Sequence, residues 1–170
     1  MPLVSKQFWY EVSGTFYDSN IFHFQDPRTL RALALSNEKF AQRASNLRIT
    51  LQPHLIEESA SALTSSIVGR FKGLRGVVLE FTLSPYELHL LQRKNVMHDA
   101  SWRSKKVPTI IRAFQQHQLE SRRTAVIFAG NSNNGGARHP IAAEGMASII
   151  KGHLLDYHPR RLSKRGQEEA

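Results

Sequence analysis

The sequence contains no cysteine among its 170 residues. A disulfide framework, a thiolate zinc site and a cysteine nucleophile are therefore excluded. No window approaches the roughly 18 apolar residues that a membrane-spanning helix needs, and the opening Met-Pro-Leu-Val-Ser-Lys-Gln has no apolar run of signal-peptide length. These absences favour an intracellular protein, cytoplasmic or nuclear, with no membrane partner.

Catalytic signatures are scarce as well. The chain has no Gly-x-Ser-x-Gly elbow and no His-Glu-x-x-His pair, the patterns that place a serine nucleophile or a zinc ion. A histidine oriented by a carboxylate can act as a general base, and His98-Asp99 near Ser101 and His139 are the candidates. Without a supporting motif, we predict no catalytic residue, no metal site and no cofactor, and an enzyme is the less favoured class.

Alternating helix and strand signals predict one domain over residues 1–156, followed by a basic, disordered tail over 157–170. Asp26-Pro27 is typical of a helix start, and Ser84 with Glu87 forms a capping box. Connections long enough for crossovers predict an α/β or α+β fold with a roughly four-stranded, mixed or mainly parallel sheet covered by helices. The strands are expected at 21–24, 47–51, 77–83 and 124–129, and the helices at 26–35, 38–44, 57–71, 84–92, from 108, and from 140.

Two of these strands, near 47 and 77, are about 30 residues apart, a spacing similar to that of leucine-rich repeats. The asparagine and the regular leucine ladder of such repeats are absent from the chain. A repeat architecture is therefore the minor alternative.

The opening residues form an amphipathic helix that leads into a short aromatic strand. Apolar side chains recur every four residues, which places them on one helical face, and the following strand adds two phenylalanines. We expect these residues to be buried as part of the scaffold: Val4, Phe8, Val12, Phe16, Phe22 and Phe24.

The same segment carries a family resemblance. Leu3-Val-Ser-Lys-Gln7, Glu11, Phe16-Tyr17, Asn20 and Phe22-x-Phe24 resemble the region that follows the F-box-like motif in a family of uncharacterised fungal proteins. Further fitting pieces, at 26–30 and 46–51, extend the resemblance weakly to about residue 85. It implies a protein-interaction domain with alternating strands and helices. The F-box-like helix of such proteins lies upstream of this segment and has no counterpart here, so the resemblance does not extend to binding a ubiquitin-ligase adaptor.

The formal charge of +9 is concentrated in the second half of the chain. Residues 1–85 hold nine Lys and Arg against seven Asp and Glu, whereas residues 86–170 hold fourteen against seven. Such clusters bind phosphate backbones by charge, and a neighbouring tryptophan can stack on bases; a solvated basic surface is the simpler interpretation. The candidate basic patch comprises Arg93, Lys94, Trp102, Arg103, Lys105, Lys106, Arg122 and Arg123.

A glycine- and asparagine-rich loop between a predicted strand and a predicted helix is the candidate anion site. Backbone amides, the helix amino terminus and an arginine could converge there on an anion, although Asn-Gly-Gly runs are also typical of surface turns. The candidate residues are Gly130, Asn131, Ser132, Gly135, Gly136 and Arg138.

Taken together, the sequence favours a non-catalytic module that binds an unidentified protein partner. A basic nucleic-acid-binding protein that uses residues 93–123 and the carboxyl-terminal tail is the alternative. The third and least favoured hypothesis is an enzyme whose active site lies in the loop over 130–138.

Overall fold

Parallel strands that follow one another in sequence order form the centre of the molecule. The computed structural model describes residues 6–84, 87, 106–130, 139–140 and 143–158. Its sheet runs in the order β1 to β5, with β1 to β4 parallel and β5 antiparallel to β4. The predicted α/β fold with a mainly parallel sheet is therefore confirmed. The strands are β1 (Phe22–Phe24), β2 (Asn46–Leu51), β3 (Gly76–Leu83), β4 (Ala125–Gly130) and β5 (His139–Pro140).

Helices connect the strands and cover one face of the sheet. Crossovers between parallel neighbours are almost always right-handed, so connections that all step in the same direction leave their helices on the same face. The helices are α1 (Lys6–Ser19), α2 (Pro27–Ser36), α3 (Glu38–Arg43), α4 (Ile56–Ala62), α5 (Ser65–Val68), α6 (Lys106–Phe114) and α7 (Glu144–Leu155), with 3-10 turns at Pro53–Leu55 and Ser121–Arg123.

The hydrophobic core lies between that helical layer and the sheet face beneath it. Strand pairing aligns the side chains in rows across the sheet, and in one of these rows the rings of Phe81 and Phe128 stack with centroids 5.2 Å apart. Helices contribute Leu30, Val68 and Phe114, all of them fully buried. The strand residues of this core are Phe24, Leu47, Ile49, Leu51, Val77, Leu79, Phe81, Leu83 and Phe128.

Two side-chain caps form as the sequence predicts. The Asp26 carboxylate accepts a hydrogen bond from the Arg28 amide (2.9 Å) in front of α2. In the capping box, the Ser84 hydroxyl accepts from the Glu87 amide (3.3 Å), and the Glu87 carboxylate accepts from the Ser84 amide (2.7 Å). Both predictions are confirmed, since each depends on side chains within three residues of the helix start.

The single helix predicted over 57–71 is wrong, because it is interrupted after α4. Leu63 leaves the helical conformation, with φ −94° and ψ 51°. The Thr64 hydroxyl then caps α5 by accepting from the Ile67 amide at 3.4 Å. A threonine side chain that bonds to backbone amides favours a new helix start over continuation of the old one.

The last helix also departs from its predicted start. Pro140 belongs to β5, and α7 begins at Glu144. The helical spacing of Ile149, Ile150 and Leu154 predicts one buried apolar stripe. Ile150 and Leu154 are buried, but Ile149 is about half exposed. The helix buries a narrower face than its sequence suggests. His158 remains tied to the domain, since its amide donates to the Gln115 carbonyl at 2.8 Å.

His117 gives the fold a predictable pH dependence. Its Nε2 lies 3.1 Å from the Val68 carbonyl oxygen. Burial lowers its pKa from the ordinary 6.5, the bond to Val68 opposes that effect, and the charge of Lys72 adds to it. The unfolded chain therefore binds a proton at a higher pH than the folded chain does, so folding stability falls as the pH drops below about 6.5.

We expect His117→Gln to weaken this acid sensitivity, because glutamine can still donate to Val68 but does not titrate. The measurement is the melting temperature as a function of pH from about 8 to 5. His54→Gln, at an exposed position, is the control. Equal pH profiles for the wild type and His117→Gln would contradict the assignment.

Candidate functional site

The predicted anion loop does not have the strand-to-helix setting that its chemistry needs. Gly130 ends β4 and pairs with His139 of β5, so the intervening residues join two antiparallel strands. The helix that should supply amide donors begins later, and its first turn carries Glu144. The premise of a helix amino terminus directly behind the loop is wrong. The remaining candidates, Asn131, Ser132, Gly135, Gly136 and Arg138, lie outside the described residues.

Only part of the predicted basic patch falls within the described structure. Arg122 and Arg123 belong to the 3-10 turn before β4, and Lys106 is the first residue of α6. The structure brings Arg122 and Arg123 to the amino-terminal edge of the sheet, beside the end of α1. The other candidates, Arg93, Lys94, Trp102, Arg103 and Lys105, lie outside the described residues.

The second face of the sheet carries a set of residues that the sequence analysis did not bring together. Side chains alternate between the two faces of a strand, and the face opposite the helical layer is mostly polar. None of its residues belongs to the hydrophobic core. We call it the polar face. Strand register and alternation assign to it His23, Asn46, Arg48, Thr50, Gly76, Val78, Glu80, Thr82, Ala125, Ile127 and Ala129. Ile21 and Arg123, which precede β1 and β4, join it because they line one pocket with Asn46 and Val78.

Accessibility divides the polar face into two parts. Thr50, Glu80 and Thr82 are buried towards the carboxyl ends of the strands. Towards the amino ends, His23 is exposed, and Val78 and Ala125 are partly exposed. We call this part the open half and define it by six exposed or partly exposed residues, Ile21, His23, Arg48, Val78, Arg123 and Ala125, together with the buried Asn46 between them. A ligand can therefore reach this face mainly near the amino-terminal edge of the sheet.

An ion pair joins the two parts of the polar face. Arg48 donates to one carboxylate oxygen of Glu80 from Nε (2.9 Å) and from Nη2 (2.6 Å). The Glu80 side chain is only 2% exposed, whereas that of Arg48 is 41% exposed. The carboxylate is thus shielded, and the open half presents the guanidinium group.

A second polar contact has the composition of a nucleophile and a base. His23 Nε2 lies 3.0 Å from the Thr50 hydroxyl oxygen. Thr50 is almost completely buried, so a substrate in solution does not reach its hydroxyl. The pair is better suited to fixing the orientation of His23 between β1 and β2 than to catalysis.

A charged network anchors α1 to the amino-terminal edge of the sheet. Arg123 contacts the Asp18 carboxylate and the Glu120 carboxylate, each at 3.1 Å, and the Asn46 side chain donates to the Asp18 carbonyl at 2.7 Å. The hydrogen bond from Arg123 is the main cause that lowers the pKa of Asp18 below 3.8, against the opposing effect of burial; further lowering comes from the charge of Arg123, a hydrogen bond with Ser45 and the charge of Arg75. Asp18 therefore stays ionised at neutral pH.

Gly76 allows this network to pack closely over the sheet. A Cβ atom at this position would lie 2.6 Å from the Arg123 Cβ and 2.7 Å from both the Arg123 carbonyl oxygen and the Asn46 Oδ1. Two of these neighbours are close to or part of the backbone and cannot move easily. Any larger residue at position 76 would collide with Arg123 and Asn46, so the close packing requires glycine.

A pocket of about 300 Å³ opens beside the network. Its lining combines apolar side chains with arginine and carboxylate groups, which is the composition of a site for a partly apolar, charged segment rather than for a purely apolar molecule. The lining residues are Asp18, Ser19, Ile21, Asn46, Leu47, Val78, Arg122 and Arg123. We call this the edge pocket.

The opening helix is less buried than its apolar stripe predicts. Val12 is 41% exposed and Phe16 is 50% exposed, so the expectation that both are core residues is wrong. Phe24 is buried, as expected, whereas Phe22 is only partly buried. Tyr17, outside the predicted stripe, packs against Phe22 and Phe40. The helix therefore packs through the side that carries Tyr17, which is adjacent to the predicted side that carries Phe16. Val4 and the Phe8 side chain lie outside the described residues.

Within the described ranges, no three His, Asp or Glu side chains lie close enough together to hold a metal ion. In the same part of the chain, no helix combines the length and the apolar character needed to cross a bilayer. Comparison with family models, with curated proteins and with solved structures finds no match to this chain.

Proposed function

We propose that this chain is a non-catalytic protein-interaction module that binds a protein partner through the open half of the polar face and the adjoining edge pocket. The observation that carries the proposal is the accessibility of this sheet face beside Ile21, a large apolar residue that is 60% exposed. Exposed apolar surface that continues into a pocket marks interaction sites, and Ile21 lines the edge pocket.

Two further considerations support this function over an enzyme. The polar pairs of the face, Arg48 with Glu80 and His23 with Thr50, each have one buried member, so they stabilise the sheet instead of presenting reactive groups. The resemblance of residues 3–24 to the region after the F-box-like motif of fungal proteins also points to protein binding.

Site-specific photo-crosslinking tests the proposal. A photoreactive p-benzoylphenylalanine replaces Ile21, and the matched control replaces Leu35, an equally apolar and similarly exposed residue on α2 in the helical layer. We expect a reproducible protein adduct from position 21 in native extract and none from position 35. No adduct from position 21, or the same adduct from both positions, would overturn the proposal.

Nucleic-acid binding is the second candidate, favoured by the excess of fourteen basic over seven acidic residues in the second half of the chain. Within the described structure, Arg122 and Arg123 are the members of this excess that lie beside the edge pocket, each 3.1 Å from the Glu120 carboxylate. A fluorescence titration with single-stranded oligonucleotide at two salt concentrations decides this case. Binding by phosphate contacts weakens steeply with salt, and absent or salt-independent binding would exclude it.

A further inference from the structure

The charges around the open half are unequally accessible. Arginines outnumber carboxylates there, and Glu80 is shielded beneath Arg48. Arg122 has an 80% exposed side chain and Arg75 a 57% exposed one, whereas those of Asp18 and Glu120 are 45% and 30% exposed. Arg122 pairs with Glu120 (3.1 Å) and Arg75 lies 3.9 Å from Asp18, and in each pair the arginine is the more exposed member. A partner approaching this surface therefore meets guanidinium groups first.

The edge pocket adds an apolar requirement to this positive rim. Ile21 and Val78 contribute its accessible apolar walls, and Arg122 and Arg123 lie at the same opening. No Phe, Tyr or Trp belongs to the polar face as defined above, so this surface lacks the rings on which nucleic-acid bases stack. A partner segment with an apolar side chain next to a carboxylate would match both the apolar residues and the arginines of this lining.

We propose that the partner is an acidic protein segment that places an apolar side chain in the edge pocket and its carboxylates against Arg122 and Arg75. This inference rests on the proposed function and specifies the chemistry of the partner. Attraction between opposite charges across an interface favours the encounter and excludes basic segments. Burial of the apolar side chain supplies affinity that salt does not remove.

Selection from a phage library of random peptides on the full chain tests this inference directly. We expect selected peptides to be enriched in Asp and Glu next to Leu, Ile or Phe. We also expect Arg122→Glu to weaken their binding at least about tenfold, which corresponds to about 1.4 kcal/mol, as measured by fluorescence anisotropy. Arg112→Glu, an exposed reversal of charge on α6, serves as the matched control and should leave the affinity unchanged.

A second variant tests the apolar half of the site. Ile21→Ser should also weaken binding by several-fold, and raised salt should weaken binding to the wild type but have less effect on Arg122→Glu. Selection of basic or uncharged peptides, failure to select any binder, or equal losses in Arg122→Glu and Arg112→Glu would each overturn the inference. So would displacement of the selected peptides by single-stranded oligonucleotide at lower concentration than by free peptide.

These outcomes are separable from failure of the proposed function. A protein adduct from position 21 whose yield is insensitive to Arg122→Glu keeps the interaction module and rejects the acidic partner. Absence of any adduct rejects the module itself.

Discussion

Replacing Arg48 with methionine is expected to lower the free energy of unfolding by about 3 kcal/mol. The reason is the position of Glu80, whose side chain is 2% exposed and accepts two hydrogen bonds from the Arg48 guanidinium. Methionine keeps much of the apolar stem but removes the positive charge, which leaves a buried carboxylate with less compensation. Denaturant unfolding followed by circular dichroism measures the loss.

The double variant Arg48→Met/Glu80→Leu identifies the cause of that loss. Removing the carboxylate as well takes away the buried charge, and apolar replacements of buried ion pairs are often as stable as the pair. We therefore expect the double variant to recover most of the stability. Arg112→Met, an exposed substitution on α6, should change stability by less than about 0.5 kcal/mol. A double variant as unstable as Arg48→Met would show that the carboxylate is not the source of the effect.

Truncating Phe71 to alanine is expected to cost about 4 kcal/mol, the largest effect of any substitution considered. Phe71 is fully buried, and its ring meets that of Phe40 edge to face, with centroids 6.1 Å apart and planes at 89°. Phe40 in turn contacts Phe22, Phe24 and Tyr17. The cavity would therefore lie at the centre of an aromatic cluster that joins β1 to the helical layer.

The matched control for Phe71→Ala is Phe16→Ala, the same change at a residue that is half exposed. Because less apolar surface leaves water at this position, we expect a loss of about 1 kcal/mol. Thermal unfolding of both variants measures the difference. Similar losses for the two would contradict the exposure of Phe16, and with it the accessible α1 surface.

Much of the local structure could be predicted because its causes lie within a few residues. The capping box at Ser84 and Glu87 and the cap at Asp26 depend on neighbouring side chains and amides. The strand 77–83 follows from its nearly continuous apolar run. The buried Val107, Ile110 and Phe114 recur at helical spacing. The break between α4 and α5 also has a local signal, since Thr64 is a favourable cap, but the apolar spacing around it favoured one continuous helix.

The face that α1 presents to the domain could not be predicted from its stripe. Periodicity identifies residues that share a side of a helix, but it does not show which side meets another element. Tyr17 forms the contact with Phe40, while Phe16 of the predicted stripe is half exposed. The helix axis is set by long-range contacts such as that between Arg123 and Asp18, 105 residues apart, which no local pattern contains.

The candidate site was missed for the same reason. Arg48 and Glu80 are 32 residues apart and meet only because β2 and β3 are neighbours in a particular register. One signal was available in the sequence. Glu80 is the only charged residue in the apolar run Val77–Leu83, and a lone carboxylate in such a strand calls for a cationic neighbour. The identity of that neighbour required the strand order.

Sequential strand order also makes the domain a linear array in which each unit is stabilised chiefly by the units beside it. In such arrays the terminal units open most readily, because they have a neighbour on one side only. Among the described strands, β1 is one terminus, with three residues and a single partner in β2. Ile21 and His23 belong to this end. A partner bound there would stabilise the closed form of this terminal unit. Amide hydrogen exchange in β1 and in the last turn of α1 would then be slower in the complex than in the free chain.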